Sequence, residues 1–298
     1  MSAEKKLTLK RILIFIVLAF LPLIISTPIL EHILGGKLYV GENASHPLIL
    51  LTGIFGMLAP TFANILTRLI TKEGLKDHYL RINLKGNVKY YLMAIFVPAL
   101  YCFIEALIVA FRFGGDAPLF NDEIFVGISL LVSQIASVLY MMMPFFGEEF
   151  GWRAYLTPKL TELIPEPLAV LVSGIIWGLW HAPLTISGHN FGVDYPFYPF
   201  AGIALMCFDC VCMGAFLTLL TKRTNSVFPA AIAHGVNNSL VAGIIATALF
   251  SEELLENIGG TSVSLIENTA MILPLIIVGI ISYIILILDF IKSKKTAE

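Results

Sequence analysis

The sequence predicts an all-α fold, a polytopic membrane helical bundle of about eight transmembrane helices forming one integral membrane domain over residues 1–298. Three observations carry this prediction. Hydrophobic residues make up 57% of the chain and charged residues only 13%, with a mean hydropathy of +0.86. A soluble domain carries roughly a quarter charged residues, so this much apolar surface has no place in a water-soluble globule. The apolar residues also gather in eight runs of about the length a bilayer requires, about 20 residues for a helix. Finally, Lys and Arg alternate from one linker to the next, as the positive-inside rule demands of a multi-pass helical protein.

The runs are 11–30, 47–70, 88–111, 124–146, 167–185, 199–220, 227–249 and 268–291. The first follows a charged start and is long enough to span. No A-x-A-like site comes after it, so it reads as a retained span, not a cleaved signal peptide. With the N-terminus inside, seventeen of the 19 Lys and Arg residues fall on inner segments, leaving Lys37 and Arg112 outside. Both termini are therefore expected on the cytoplasmic side. The linkers are short, and the chain shows no repeat or low-complexity segment.

Composition also excludes functions. A net charge of −2 without a basic tract gives no footprint for nucleic acid. The four cysteines, Cys102, Cys207, Cys210 and Cys212, all lie in apolar runs and read as small packing residues. The C-x-x-C spacing of Cys207 and Cys210 has no second pair to make a metal site.

The informative residues are the polar ones in or beside the spans, where an ionisable group is costly and marks function. "MPFFGEEFGWRAYL" puts Glu148, Glu149 and Arg153 at the end of the fourth run, "WGLWHAPL" puts His181 in the fifth, and "AHGVNNSL" puts His234, Asn237 and Asn238 in the seventh. Glu149 and Arg153 are four residues apart and share a helical face. Glu148 points about 100° away from Glu149, so the two carboxylates meet different neighbours. His234 and Asn238 also share a face, and Trp177 lies one turn before His181. A carboxylate base, an imidazole to share its proton and a His/Asn pair for an oxyanion suit the activation of water. Glu105 and Asp209 are single acids within spans and read as structural or lining residues.

These motifs resemble those of the CAAX prenyl protease and bacteriocin-processing family of intramembrane proteases, also called the ABI or type II CAAX endopeptidase family. Its E-E-x-x-x-R motif is matched by Glu148 to Arg153, its aromatic-x-x-x-H by Trp177 to His181, with Trp in the usual place of Phe, and its H-x-x-x-N by His234 to Asn238. The motif-bearing core is about 124–249. The resemblance implies an endopeptidase in which Glu148 activates water with the help of His181, His234 and Asn238 stabilise the oxyanion, and Glu149 and Arg153 shape the site. It implies no cofactor. The alternative is a zinc ion on Glu148, His181 and His234, although the H-E-x-x-H signature is absent. The implied partner is a membrane-associated peptide or a prenylated protein C-terminus, met in what reads as a prokaryotic plasma membrane. Two rival readings are a scaffold or bacteriocin-immunity protein of the same fold, and a proton-coupled transporter.

Straight helices would set these residues at different depths. The 14 residues from Pro167 to His181 rise about 21 Å. A shared site therefore requires tilted or broken helices, or a fourth helix whose end is sunk below the surface. Pro144 and Gly147 permit a break just before Glu148, and the expected product is a water-filled cavity lined by the fourth, fifth and seventh helices, open to the cytoplasm. The segment 150–162, with Trp152, Tyr155, Leu156 and Leu160, is expected partly along the membrane interface.

Overall fold

The computed structural model describes residues 2–75, 78–113, 129, 142–239 and 272–297, and among them every regular element is helical. Helix α1 (Ala3–Leu34) starts where the Ser2 hydroxyl accepts the Lys5 N–H at 3.2 Å, and it stops at Gly35, which takes a left-handed φ of 69°. Helix α2 (Pro47–Ile70) has Pro in its first turn, where the missing N–H costs nothing. Helix α3 (Val88–Phe113) completes the first three expected runs. Then come α4 (Met142–Gly151), a π-helical turn (Trp152–Leu156), α5 (Thr157–Thr161), α6 (Glu166–Trp180), α7 (Ala182–Ile186), α8 (Phe200–Thr224), α9 (Phe228–Ser239) and α10 (Leu273–Ala297).

Five of these helices are long and apolar enough to cross a membrane: Ala3–Leu34, Pro47–Ile70, Val88–Val109, Phe200–Thr224 and Leu273–Thr296. The chain is an integral membrane protein. Of the other three expected runs, the fifth is the shorter apolar helix Glu166–Trp180. Most of the fourth and the end of the seventh lie outside the described residues. The outward stripes are lipid-like: α1 exposes Leu13, Val17, Leu21, Ile24 and Ile25, and α10 exposes Ile277, Ile280, Ile281, Ile284 and Leu288.

Where helices meet, small residues let backbones approach, as expected where lipid supplies no hydrophobic drive for association. A Cβ on Gly174 would stand 2.6 Å from Val211 Cα, and one on Gly178 would stand 2.7 Å from Cys207 N, so α6 and α8 touch backbone to backbone. Gly147 and Gly151 pack in the same way on Met57–Pro60 of α2.

Two expectations are corrected. The irregularity lies not at Pro144 and Gly147, which are inside α4, but after Gly151, where the Thr157 N–H reaches back five residues to Trp152 O. Side chains of α2 brace its approach: the Thr61 hydroxyl donates to Gly147 O at 2.7 Å and Asn64 Nδ2 to Phe150 O at 2.8 Å. Nor do the apolar side chains of the segment 150–162 face outward, as an interfacial segment would turn them. Trp152, Tyr155 and Leu156 are fully buried and Leu160 nearly so. Phe15 of α1 meets Trp152 edge to face at 5.5 Å, Trp180 meets Trp152 at 5.8 Å, and Trp180 Nε1 donates to Ala19 O. Aromatic and apolar spacing that would suit an interface is here the centre of the bundle.

Candidate active site

The site is built on α4 with its π turn, α6 and α9. Glu148 and Glu149 point to different neighbours. Glu149 is fully buried; its Oε2 lies 3.2 Å from Arg153 Nε and its Oε1 2.8 Å from His234 Nδ1. Glu148, 2% exposed, accepts one bond, from Trp177 Nε1 at 2.7 Å, and its Oε1 makes no hydrogen bond among the described residues. The expected Glu149–Arg153 pairing is therefore present, and it includes His234.

Trp177 is the hub. Its indole N–H holds Glu148, its face carries the Arg153 guanidinium at 4.1 Å, and its ring lies 5.4 Å from His234 and 6.0 Å from His181. A Cβ on Gly214 of α8 would come within 3.1 Å of Arg153 Nη2, so that glycine leaves the space the guanidinium occupies.

His181 sits where α6 ends. Pro183 has no N–H with which to continue the helix, and the His181 N–H turns to Gly178 O at 3.1 Å. That tightening leaves Trp177 O free of its usual backbone partner, and His181 Nδ1 takes it at 3.0 Å. A carbonyl only accepts, so Nδ1 carries the proton and the neutral ring keeps Nε2 as a lone pair. No hydrogen bond joins His181 to Glu148 among the described residues. Asn238 completes the site, with Nδ2 3.2 Å from His234 Nε2.

All seven sequence-predicted residues thus fall in one region, joined by the contacts of Trp177 and His234. Residues 131–240 match the family model described as type II CAAX prenyl endopeptidase Rce1-like. No curated protein matches the chain. The Rce1-like stretch contains all seven site residues and lies within the motif-bearing core expected over 124–249.

Two residues of the site carry no signal in the sequence. His189, in the loop after α7, stacks parallel to His181 with centroids 6.5 Å apart, and Tyr39 packs on its other side at 4.6 Å. Burial lowers its pKa to about 4, so it is neutral there. Tyr101 of α3 donates its hydroxyl to Asn237 Oδ1 at 2.6 Å. Glu105 and Asp209 make no hydrogen bond to the seven site residues, and each has one buried carboxylate oxygen with no hydrogen bond among the described residues. A polar cavity of about 400 Å³ lies on the far side of the π turn, lined by Arg11, Arg68, Glu73, Tyr155 and Lys159 among others. In it Glu73 is partly buried, which works against its charge. Lys159 at 2.6 Å, the Tyr155 hydroxyl and Arg11 outweigh that and lower its pKa.

Proposed function

We propose that the protein is an intramembrane endopeptidase in which Glu148 activates a water for attack on a peptide carbonyl. The observation that carries the reading is the inequality of the two adjacent carboxylates. Glu149 accepts from His234 at Oε1 and is charge-paired with Arg153 through Oε2, which has no hydrogen bond among the described residues, whereas Glu148 has no such ion pair among them, holds one indole N–H and keeps Oε1 for a water. Glu148 takes a proton from the water as its oxygen bonds the carbonyl carbon. Asn238 has a second amide hydrogen to offer the developing oxyanion, and preorganised donors of this kind supply the larger share of such catalysis. When the C–N bond breaks, the proton held by Glu148 passes to the leaving amine, with His181 Nε2 sharing it. Glu149 and Arg153 hold the frame.

His234 spends its Nδ1 proton on Glu149 and its Nε2 lone pair on Asn238. The ring therefore aids the oxyanion by aiming Asn238. The same engagement favours a site that works without zinc, since a metal on Glu148, His181 and His234 would have to displace the Asn238 or Glu149 contact. The proposed substrate is a membrane-associated peptide, a prenylated C-terminus being the first to test, in a prokaryotic plasma membrane.

The test is cleavage of a quenched farnesylated CAAX peptide by purified protein in detergent, with wild type, Glu148→Gln and His181→Ala, each with and without chelator. Cleavage by wild type alone, indifferent to chelator, is expected. Loss with chelator and recovery with zinc would overturn the metal-free water. Ion flux without proteolysis in liposomes would favour the transporter reading.

A further inference from the structure

A chain of hydrogen bonds leaves the site and ends on a helix that carries none of the three motifs. From Glu149 it runs to His234 Nδ1 (2.8 Å), from His234 Nε2 to Asn238 Nδ2 (3.2 Å), from Asn238 Oδ1 to Asn237 Nδ2 (3.0 Å), and from Asn237 Oδ1 to the Tyr101 hydroxyl (2.6 Å). Tyr101 is 2% exposed and lies on α3, which packs along α9. Cys102 Sγ, its neighbour, approaches Asn237 O at 4.0 Å.

Every link in this chain has a direction. An amide presents an oxygen at one end and an NH₂ at the other, so fixing one amide fixes the next. When Tyr101 donates to Asn237 Oδ1, Asn237 must turn its Nδ2 to Asn238 Oδ1. Asn238 must then turn its own Nδ2 to His234, which accepts at Nε2 and keeps its proton on Nδ1, facing Glu149. The reversed chain is also self-consistent. With the Tyr101 oxygen accepting from Asn237 Nδ2, both amides flip, Asn238 Oδ1 faces His234, and Nε2 must carry a proton. Two features favour the first direction. The Glu149 carboxylate, fully buried and already beside Arg153, requires a donor at Nδ1, and the Asn238 Nδ2 that faces Nε2 has only hydrogens to offer, so Nε2 meets it as a lone pair.

We propose that Tyr101 is a positioning residue: through the Asn237 and Asn238 amides it keeps His234 Nε2 an acceptor, while Glu149 holds the Nδ1 proton, and it aims the free N–H of Asn238. Its effect on turnover rests on the peptidase reading above, whereas its effect on the Nε2 proton does not.

The test uses full-length protein in detergent with ¹⁵N-labelled histidine, the His234 ring signals being assigned by difference against His234→Gln. Wild type is expected to show His234 protonated at Nδ1 and accepting at Nε2 at neutral pH. Tyr101→Phe keeps the ring and removes the donor; it is expected to let both amides reverse, so that Asn238 Oδ1 faces His234 and Nε2 gains a proton while Nδ1–H stays on Glu149, and to lower kcat roughly tenfold with KM nearly unchanged, the size seen when a partner one layer out from a site is lost. Asn237→Asp is isosteric and, when ionised, has no hydrogen for Asn238, so it is expected to do the same. A merely structural Tyr101 would lower stability and leave Nε2 without a proton. Wild-type His234 protonated at Nε2, or Nε2 without a proton in both variants, would overturn the proposal. If wild type cleaves no peptide, the peptidase reading fails, and the nitrogen shifts still decide the relay.

Discussion

Glu148→Gln and Glu149→Gln are the same chemical change made one residue apart, and the structure gives them opposite consequences. Glu149 faces Arg153 inside the bundle, the two side chains 0% and 2% exposed, and it also accepts from His234. Removing one partner of a buried ion pair costs about 3–5 kcal/mol, because the other charge is left uncompensated. Glu148 remains nearby to offset part of that charge, which places Glu149→Gln near the lower end, about 3 kcal/mol. At about 2–4 °C per kcal/mol for chains of this order, the thermal midpoint in detergent should fall on the order of 10 °C. Among the described residues Glu148 has no cation in direct contact, and its one bond there, from Trp177, survives in the amide. Neutralising one of two neighbouring buried carboxylates also relieves their repulsion. Glu148→Gln should therefore stay within about 1 kcal/mol of wild type, shifted up if at all, while cleavage of the test peptide is abolished. The assay pairs unfolding followed by tryptophan fluorescence with peptide cleavage on the same preparations. A midpoint loss as large for Glu148→Gln as for Glu149→Gln, or cleavage retained by Glu148→Gln, would refute the division of labour between the two acids.

Three further outcomes follow from other parts of the molecule. Pro183→Ala restores the N–H that bonds Leu179 O and removes the ring from that carbonyl, so α6 should run on, with the His181 N–H turning from Gly178 O to Trp177 O and releasing His181 Nδ1; cleavage should fall about tenfold or more with the midpoint unchanged or raised, as removal of a helix-breaking Pro allows. Gly178→Ala drives a Cβ into the backbone of Cys207; it should cost about 1–3 kcal/mol by overpacking, read as a drop in midpoint, with Ser at the same place no better. His189 is held neutral by burial between Tyr39 and His181, its pKa lowered to about 4 from an unfolded value near 6.5. The unfolded chain therefore binds a proton that the folded one refuses, and stability should decline as pH falls from about 6.5 to about 4 and level off below. His189→Gln should flatten that part of a midpoint-against-pH curve.

How much of this was legible in the sequence depends on distance along the chain. The Glu149–Arg153 pair, the His234–Asn238 contact and the packing of Trp177 on His181 all follow from one-turn spacing, which any helix honours. The helical runs were legible because a bilayer sets their length. Contacts between helices were not. Nothing local says that Trp177 donates to Glu148, 29 residues away, or that His234 meets Glu149 across 85. The burial of Trp152, Tyr155 and Leu156 was misjudged for a related reason. In a membrane chain both lipid and core are apolar, so hydrophobic periodicity no longer tells a buried face from an exposed one, and aromatic residues beside charges look interfacial. His189 and Tyr101 were invisible for the same reason, since each earns its place through a partner on another helix or loop.

The depth mismatch between Glu148 and His181, which straight helices leave unresolved, is bridged from both ends by backbone irregularity. On one side the π turn after Gly151 carries Arg153 back toward Glu149 and onto the face of Trp177. On the other, Pro183 ends α6 at the residue after Trp180 and frees the carbonyl that orients His181. Trp177 lies between them, about 16 Å along α6 from its first residue at 1.5 Å per residue. It is long enough to reach Glu148 with its nitrogen while its ring supports both Arg153 and His181. A Phe at that position would keep the ring contacts and lose the bond to Glu148, so in this chain the aromatic position of the second motif does more than pack. It holds Glu148, the proposed base, and the two breaks set Arg153 and His181 against the same ring.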